Sequence, residues 1–86
     1  MKIYLGMVTL FSTKGVGSDN VSFAGFNKES VKSHLAEIAG EVLKEFNDAY
    51  KVEADPIDPE AIELRCNCYP RRIRYWIDEV EVIDGD

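Results

Sequence analysis

The sequence is poor in the residue types from which metal and catalytic centres are usually built. Its 86 residues include one histidine, two cysteines and one tryptophan. No apolar run approaches the roughly 18 residues that span a bilayer, and no signal-peptide cleavage pattern follows the strand-like N-terminal segment. We therefore expect a single cytoplasmic domain over residues 1–86, with one modest hydrophobic core.

The two cysteines are separated by one residue, which differs from the spacing of redox motifs. On a strand, Cys66 and Cys68 would point the same way about 6.5–7 Å apart, so a disulfide between them would be strained. Together with His34 they would supply three zinc ligands, whereas a closed structural site needs four. We interpret both cysteines as small apolar residues with reduced thiols, and we expect no metal and no cofactor.

No other motif predicts catalysis. His34 has no nucleophile or orienting partner nearby in the sequence. The Gly15-Val16-Gly17 segment lacks the lysine and hydroxyl residue that follow the last glycine of a phosphate loop. We expect no catalytic residue and no enzyme activity. Four carboxylates lack the spacing and the glycine of a calcium loop, and we interpret them as a solvated acidic loop: Asp55, Asp58, Glu60 and Glu63.

The hydrophobic pattern predicts two hairpins separated by one amphipathic helix. Asn27 is a favourable helix N-cap, and apolar residues recur at three- and four-residue spacing from Val31 to Tyr50. Residues 51–60 contain two Asp-Pro steps, which are typical of a connector. The predicted strands cover residues 2–11, 21–26, 62–69 and 73–83.

These elements, in the order ββαββ, predict an α+β fold. We expect a two-layer sandwich in which an antiparallel sheet of about four strands carries the helix on one face. The inward parity of the last strand changes near Asp78, which predicts a bulge there or, alternatively, a short helix. Another bulge is expected near Gly25.

The charges are unevenly distributed along the chain. The formal net charge is −6, which disfavours non-specific binding to nucleic acid or anionic membrane. Residues 65–76, which we call the basic-aromatic segment, contain four arginines and no acid, and acidic blocks lie on both sides. Guanidinium groups bind phosphate or carboxylate, and aromatic rings stack on bases or anchor protein partners.

Two interpretations of the basic-aromatic segment stay open. Its side chains form a free patch on the helix-free side of the sheet, or its arginines pair with neighbouring carboxylates, for which we name Glu63, Asp78, Glu79 and Glu81. The candidate binding residues are Arg65, Tyr69, Arg71, Arg72, Arg74 and Trp76 from this segment, with Glu41, Glu45 and Asp48 from the preceding acidic block.

The C-terminal run Tyr75-Trp76-Ile77-Asp78-Glu79-Val80-Glu81-Val82-Ile83-Asp84 follows a hairpin, the pair Phe26-Asn27 and an amphipathic helix. This layout resembles small proteins of phages and mobile elements, some of which are anti-CRISPR or other counter-defence inhibitors. The resemblance implies a stoichiometric inhibitor that occupies a surface of a larger complex in the host cytoplasm. It carries over no catalytic residues.

We therefore expect a non-catalytic protein-binding module, namely a phage-type inhibitor of a defence complex. Its acidic surface would imitate nucleic acid, and Trp76 with its arginines would anchor the partner. One alternative is a single-stranded nucleic-acid binder in which Tyr69, Tyr75 and Trp76 stack on bases, although the net charge disfavours it. Another is a homodimer formed through the patch of the basic-aromatic segment or through an open edge strand, with a small ligand at the seam. No membrane partner is expected.

Overall fold

The computed structural model describes residues 1–12, 14–46, 49–55, 57–67 and 70–83. Within these residues, five strands form one antiparallel sheet in the spatial order β2-β1-β5-β4-β3, and one helix packs against it. The α+β class with a single helix is therefore confirmed. The elements are β1 (Lys2–Phe11), β2 (Gly17–Gly25), α1 (Lys28–Glu45), β3 (Lys51–Ala54), β4 (Ile62–Arg65) and β5 (Arg72–Glu81).

The sheet has one strand more than the sequence predicts. The additional strand is β3, which lies inside the segment interpreted as a connector and pairs with β4, so that Val52 lies opposite Leu64. All four β3 residues are exposed, so no alternation of buried and exposed positions marks the strand in the sequence. An edge strand of this kind is held by its backbone hydrogen bonds rather than by a buried side.

The second strand begins at Gly17, earlier than the predicted residue 21, because the preceding turn is tighter than expected. The backbone N–H of Ser12 donates to the carbonyl of Val16 at 3.0 Å, and the N–H of Gly15 donates to the carbonyl of Ser12 at 3.0 Å. Gly15 adopts a φ of 79°, which favours glycine. The two strands therefore pair as far as Phe11 and Gly17.

The helix begins as predicted and ends earlier. The Oδ1 atom of the N-cap Asn27 accepts a hydrogen bond from the backbone N–H of Ser30 at 3.1 Å. The last helical residue is Glu45, and Phe46 is the C-cap, so the prediction that the helix reaches Tyr50 is wrong. Tyr50 is nevertheless 3% exposed, and its hydroxyl donates to the carbonyl of Pro70 at 3.1 Å. Its apolar spacing therefore reflects burial after the chain has left the helix.

The hydrophobic core lies between α1 and one face of the sheet. Leu35 and Ala39 of the helix pack there with Leu64, Ile73 and Tyr75 of the strands, and Leu64 is fully buried. Tyr75 is 2% exposed, and its burial, reinforced by the neighbouring Tyr50, raises its pKa to about 12. The prediction that Tyr75 stacks on a base is therefore wrong, because its ring belongs to the core.

Neither predicted bulge occurs at its expected position in the strand pairing. The shift in the β1–β2 pairing lies between Gly6 and Met7, away from Gly25. A Cβ atom on Gly6 would lie 2.6 Å from Cζ of Phe23, so glycine is required for this ring to lie across the strand. β5 pairs with β1 without interruption from Arg72 to Glu81, which excludes both the bulge and the short helix near Asp78.

The change of parity in β5 has a different cause. Val80 lies opposite Ile3, and both side chains lie on the sheet face that α1 does not cover, whereas Ile77 packs against the core. The apparent change of parity therefore arises because β5 carries apolar residues on both of its faces while its backbone stays regular.

Candidate functional site

The sheet face opposite α1, which we call the helix-free face, collects most of the candidate side chains of the basic-aromatic segment. Arg65 lies opposite Arg72 across β4 and β5, and Trp76 lies opposite Met7 across β5 and β1. Alternate residues of a strand share a face, so Arg74 lies between Arg72 and Trp76 on the same side. The strand register therefore brings these four candidates together.

A chain of hydrogen bonds fixes Trp76 near the middle of the helix-free face. Its indole N–H donates to Oγ1 of Thr9 at 2.8 Å, and the Thr9 hydroxyl donates to Oδ1 of Asp19 at 2.6 Å. Thr9 is buried, whereas Trp76 is only partly buried. A ring held in one orientation loses little conformational entropy when another surface packs on it.

Arg74 forms an ion pair with a carboxylate that is itself well supported. Its Nε atom donates to Oδ2 of Asp55 at 2.7 Å, and the Asp55 side chain is 8% exposed. Oδ1 of Asp55 accepts hydrogen bonds from the backbone N–H groups of Ile57 at 2.8 Å and Asp58 at 3.0 Å. The hydrogen bonds from Asp58 and Ile57, followed by the charge of Arg74, lower the pKa of Asp55 below its ordinary value.

Arg72 is held between an aromatic ring and a buried carboxylate. Its guanidinium carbon lies 4.0 Å from the centroid of the Phe11 ring, in cation–π geometry. Its Nε atom lies 2.8 Å from Oε1 of Glu63, although the N–H is not aligned for a hydrogen bond, so the contact is purely an ion pair. Glu63 is buried, and an unpaired carboxylate there would be costly.

The positive charges of Arg65 and Arg71 are offset much less by nearby carboxylates. Nη1 of Arg65 lies 3.8 Å from Oε2 of Glu53, and both side chains are about half exposed, so the pair contributes little. Among the described residues, no carboxylate lies within 4.0 Å of the Arg71 side chain, which is exposed. Both arginines line, with Arg72, a cleft of about 180 Å³, which we call the arginine cleft; its other walls are Phe11, Ser12 and Gly15.

Both interpretations of the arginines thus hold in part. Arg72 and Arg74 are tied to carboxylates of the same chain, but of the partners named from the sequence only Glu63 contributes. The prediction of a solvated acidic loop is wrong for Asp55 and Glu63, whose side chains are buried against these arginines. Asp55 compensates the loss of solvation with three hydrogen bonds, from Arg74 and from the backbone N–H groups of Ile57 and Asp58, whereas Glu63 does so through its ion pair with Arg72.

Glu41 and Glu45, the acidic candidates that the structure describes, lie in the helix layer, on the other side of the sheet from Trp76. Glu41 and Glu45 are exposed on the outer surface of α1, because Leu35 and Ala39 turn the other side of the helix toward the sheet. The helix layer and the sheet therefore separate them from Trp76 and the arginines. The candidates Asp48 and Tyr69 lie outside the described residues.

Of the residues considered as zinc ligands, the two that the structure describes, His34 and Cys66, are not brought together. His34 is exposed on α1, where its ring lies 4.3 Å from the Phe23 ring of β2, whereas Cys66 follows β4 across the sheet. Cys66 is disulfide-bonded, so the prediction of a reduced thiol is wrong for it. The argument from strand geometry fails because β4 ends at Arg65; the prediction for Cys68 lies outside the described residues. No group of three or more metal-ligating side chains occurs in the described part of the chain.

Two residues that organise the helix-free face had no signal in the sequence analysis. Thr9 lies in an apolar segment, and Asp19 lies between the predicted strands 2–11 and 21–26. Their contact with Trp76 depends on the β1–β2 and β1–β5 registers. Asp55 did carry a local signal, because aspartate before proline often accepts hydrogen bonds from the next backbone N–H groups.

No protein-family model, curated protein or solved structure matches this chain. The resemblance to small phage proteins therefore stays an expectation. In the described residues, no helix combines the length and the apolar character needed to cross a membrane.

Proposed function

We propose that this chain is a non-catalytic protein-binding module that docks an apolar protein surface onto the helix-free face. The observation that carries the proposal is an apolar strip on this face, centred on Trp76. Within the described residues, α1 and the core residues that pack with it lie against the other face of the sheet. The exposed parts of the strip, which include Val21 and Val80, are therefore available to a partner.

The strip runs across three strands in adjacent rows. Val21 of β2, Met7 of β1 and Trp76 of β5 form one row, in which Val21 is 58% exposed, Trp76 is partly buried and Met7 is buried between them. Leu5 lies in the next row, and Ile3 and Val80 extend the strip toward one end of the sheet. A contiguous apolar surface on a small domain commonly marks an interaction site, and tryptophan is enriched at the centres of such sites.

Ion pairs border the strip on the side of β4 and β3. The Arg74–Asp55 and Arg72–Glu63 pairs lie beyond Trp76, so an apolar centre meets a polar margin. This arrangement matches the general anatomy of protein interfaces, in which polar groups surround a desolvated centre. It supports the expected role of Trp76 as the anchor, and it places Arg72 and Arg74 at the polar margin rather than at the centre of the interface.

The same charges argue against single-stranded nucleic acid as the partner. Arg65, Arg72 and Arg74 face Glu53, Glu63 and Asp55, respectively, in ion pairs. Asp19 and Asp78 add further negative charge to the helix-free face. A groove for a polyanion needs a net positive potential along its length, and this face does not provide one.

Val21 and Val52 form a matched pair of variants for testing the proposal. Both valines lie on edge strands, and they are 58% and 62% exposed, but Val52 lies on the helix side of the sheet. A partner is first captured on the immobilised chain from a lysate of cells that express it, and its Kd is then measured. We expect Val21→Lys to weaken binding about tenfold or more, and Val52→Lys to leave it within about twofold.

Equal effects of the two substitutions would overturn the proposal. Sedimentation of the free chain addresses the homodimer: a dimer that Val21→Lys dissociates would assign the strip to a second copy and reject a heterologous partner. The expected result is a monomer that binds its partner saturably through this face. Circular dichroism of both variants shows that any loss of binding is not a loss of folding.

A further inference from the structure

The arginine cleft is chemically distinct from the apolar strip. It lies at the end of the sheet where β1 and β4 finish and β5 begins, because Arg72 pairs with both Phe11 and Arg65. The backbone N–H of Arg71 donates to the carbonyl of Phe11 at 3.0 Å, and the N–H of Cys66 donates to the carbonyl of Arg71 at 2.9 Å. These bonds fix the backbone from which the three guanidinium groups extend.

The charge of the cleft is only partly compensated. Glu63 neutralises Arg72 at 2.8 Å, whereas Glu53 approaches Arg65 only to 3.8 Å in an exposed position. Arg71 has no carboxylate partner among the described residues. Two positively charged guanidinium groups, of Arg65 and Arg71, therefore lie in one cleft with little negative charge nearby, although the net charge of the chain is −6. Like charges at close range are unfavourable unless an anion lies between them.

The neighbouring turn contributes a further donor and leaves open space. Oγ of Ser12 accepts hydrogen bonds from the backbone N–H groups of Lys14 and Val16, both at 3.3 Å, so its own proton is available to a ligand. A Cβ atom on Gly15 would meet no atom within 4 Å, so this wall of the cleft is not crowded.

The size of the cleft limits the ligand to a single small group. Its volume is about 180 Å³. Sites for drug-sized ligands occupy roughly 300–1,000 Å³, so a whole nucleotide would not be enclosed. A phosphate monoester carries a charge of about −1.5 to −2 and three acceptor oxygens. These match the guanidinium groups of Arg71 and of Arg65, which is only weakly paired with Glu53, together with one hydroxyl.

From this match we propose that the arginine cleft binds the phosphate group of a monoester dianion, with Arg71 and Arg65 as the principal ligands and Ser12 as an additional donor. A carboxylate carries one charge and would leave one guanidinium group uncompensated. A phosphodiester chain would also meet the acidic remainder of the helix-free face. The proposal does not rest on docking at the apolar strip.

The test is a titration of the full chain with inorganic phosphate at constant ionic strength, followed by NMR of backbone amides and by calorimetry. We expect saturable shifts at Ser12, Gly15 and Arg71, and weaker, non-saturating shifts with acetate. Arg71→Gln should weaken phosphate binding about tenfold or more, because a charge-assisted hydrogen bond is lost. Arg71→Lys should retain part of the affinity, since it keeps the charge and loses the planar fork.

Lys2→Gln is the matched control, because Lys2 is exposed at the start of β1, whereas the cleft residue Phe11 ends the same ten-residue strand about 30 Å away. It should leave phosphate binding within about twofold of the unmodified chain, since surface charges beyond a Debye length of about 8 Å are screened at physiological salt. Arg65→Gln provides a second cleft variant in case Arg71→Gln fails to fold. Equal weakening by Lys2→Gln and the cleft variants, or identical responses to phosphate and acetate, would overturn the proposal.

The phosphate group could belong to a phosphorylated protein or to a small phosphate compound, and comparing a phosphoserine peptide with free phosphate distinguishes these two sources. Tighter binding of the peptide than of free phosphate assigns the cleft to a phosphorylated protein, and equal binding assigns it to a small phosphate compound. Val21→Lys should bind phosphate normally, so failure of this proposal and failure of docking at the apolar strip are separately visible. An oligonucleotide that binds more tightly than either phosphate probe would reject the monoester in favour of nucleic acid.

Discussion

At the scale of single residues, the helix-free face is organised by pairings between residues that are distant in the sequence. Asp55 and Arg74 are 19 positions apart, and Thr9 and Trp76 are 67 positions apart. The sequence shows that arginines and carboxylates are abundant near each other, but it does not show which of them pair. Pair identity follows from strand register, and β3 and β4 set the register that brings Asp55 to Arg74.

Asp55 gives a prediction for acid stability. Its pKa in the folded chain lies below the ordinary value of 3.8, because backbone N–H groups of Asp58 and Ile57, and then Arg74, stabilise the carboxylate. Such a group contributes stability that is present above the unfolded pKa and is lost as the pH falls through the folded pKa. We expect the free energy of unfolding in urea to fall as the pH drops below 3.8.

The Asp55→Asn variant tests this assignment because it removes the charge and keeps an acceptor oxygen. It should be less stable at neutral pH and should lose less stability across the acidic window than the unmodified chain. Glu37→Gln, at an exposed position of α1, is the control and should leave the pH profile nearly unchanged. An Asp55→Asn profile that parallels that of the unmodified chain would exclude Asp55 as the source of the slope.

At the scale of elements, the spacing of apolar residues predicts helices and strands that bury one side, and it does not predict strands that are exposed along their whole length. The start of α1, β1 and the alternating positions of β4 all follow from patterns of apolar residues that the core uses. β3 is exposed along its length, and Tyr50 continues the helical spacing beyond the end of the helix. For the candidate site, alternation places Arg72, Arg74 and Trp76 on one face, whereas their partners depend on pairing between strands.

Two glycines give a prediction at this scale, because the same substitution has opposite effects in a strand and in the helix. A methyl group on Gly6 would lie within 3.0 Å of three atoms of the Phe23 ring, which also contacts His34. Gly6→Ala should therefore lower the free energy of unfolding by about 1–3 kcal/mol through overpacking. Gly40 lies in α1 with no atom within 4 Å of an added Cβ. Gly40→Ala should raise stability by about 0.5–1 kcal/mol, since glycine is unfavourable inside a helix.

Denaturant unfolding of both variants measures this difference in sign. Adding Phe23→Leu to Gly6→Ala should recover part of the lost stability relative to the sum of the single variants, because the shorter side chain vacates the space above Gly6. Simple additivity of the two substitutions would show that the ring does not press on this position.

At the scale of the whole molecule, the fold places the two sets of candidate binding residues in different layers. Trp76 and the arginines belong to the helix-free face of the sheet, and Glu41 and Glu45 belong to the outer surface of α1. One flat partner surface cannot contact both. The expectation that an acidic surface imitates nucleic acid while Trp76 anchors the partner therefore separates into two claims, which can be tested independently.

The double variant Glu41→Gln/Glu45→Gln separates these claims through the kinetics of partner binding. If docking occurs on the helix-free face, the helix carboxylates act only at a distance, through the field that guides encounter. We then expect the association rate constant to change and to depend less on salt, while the dissociation rate constant stays within about twofold. Val21→Lys should instead speed dissociation, because it alters the contact itself. Faster dissociation of the double variant would place α1 inside the interface and support the imitation of nucleic acid by its acidic surface.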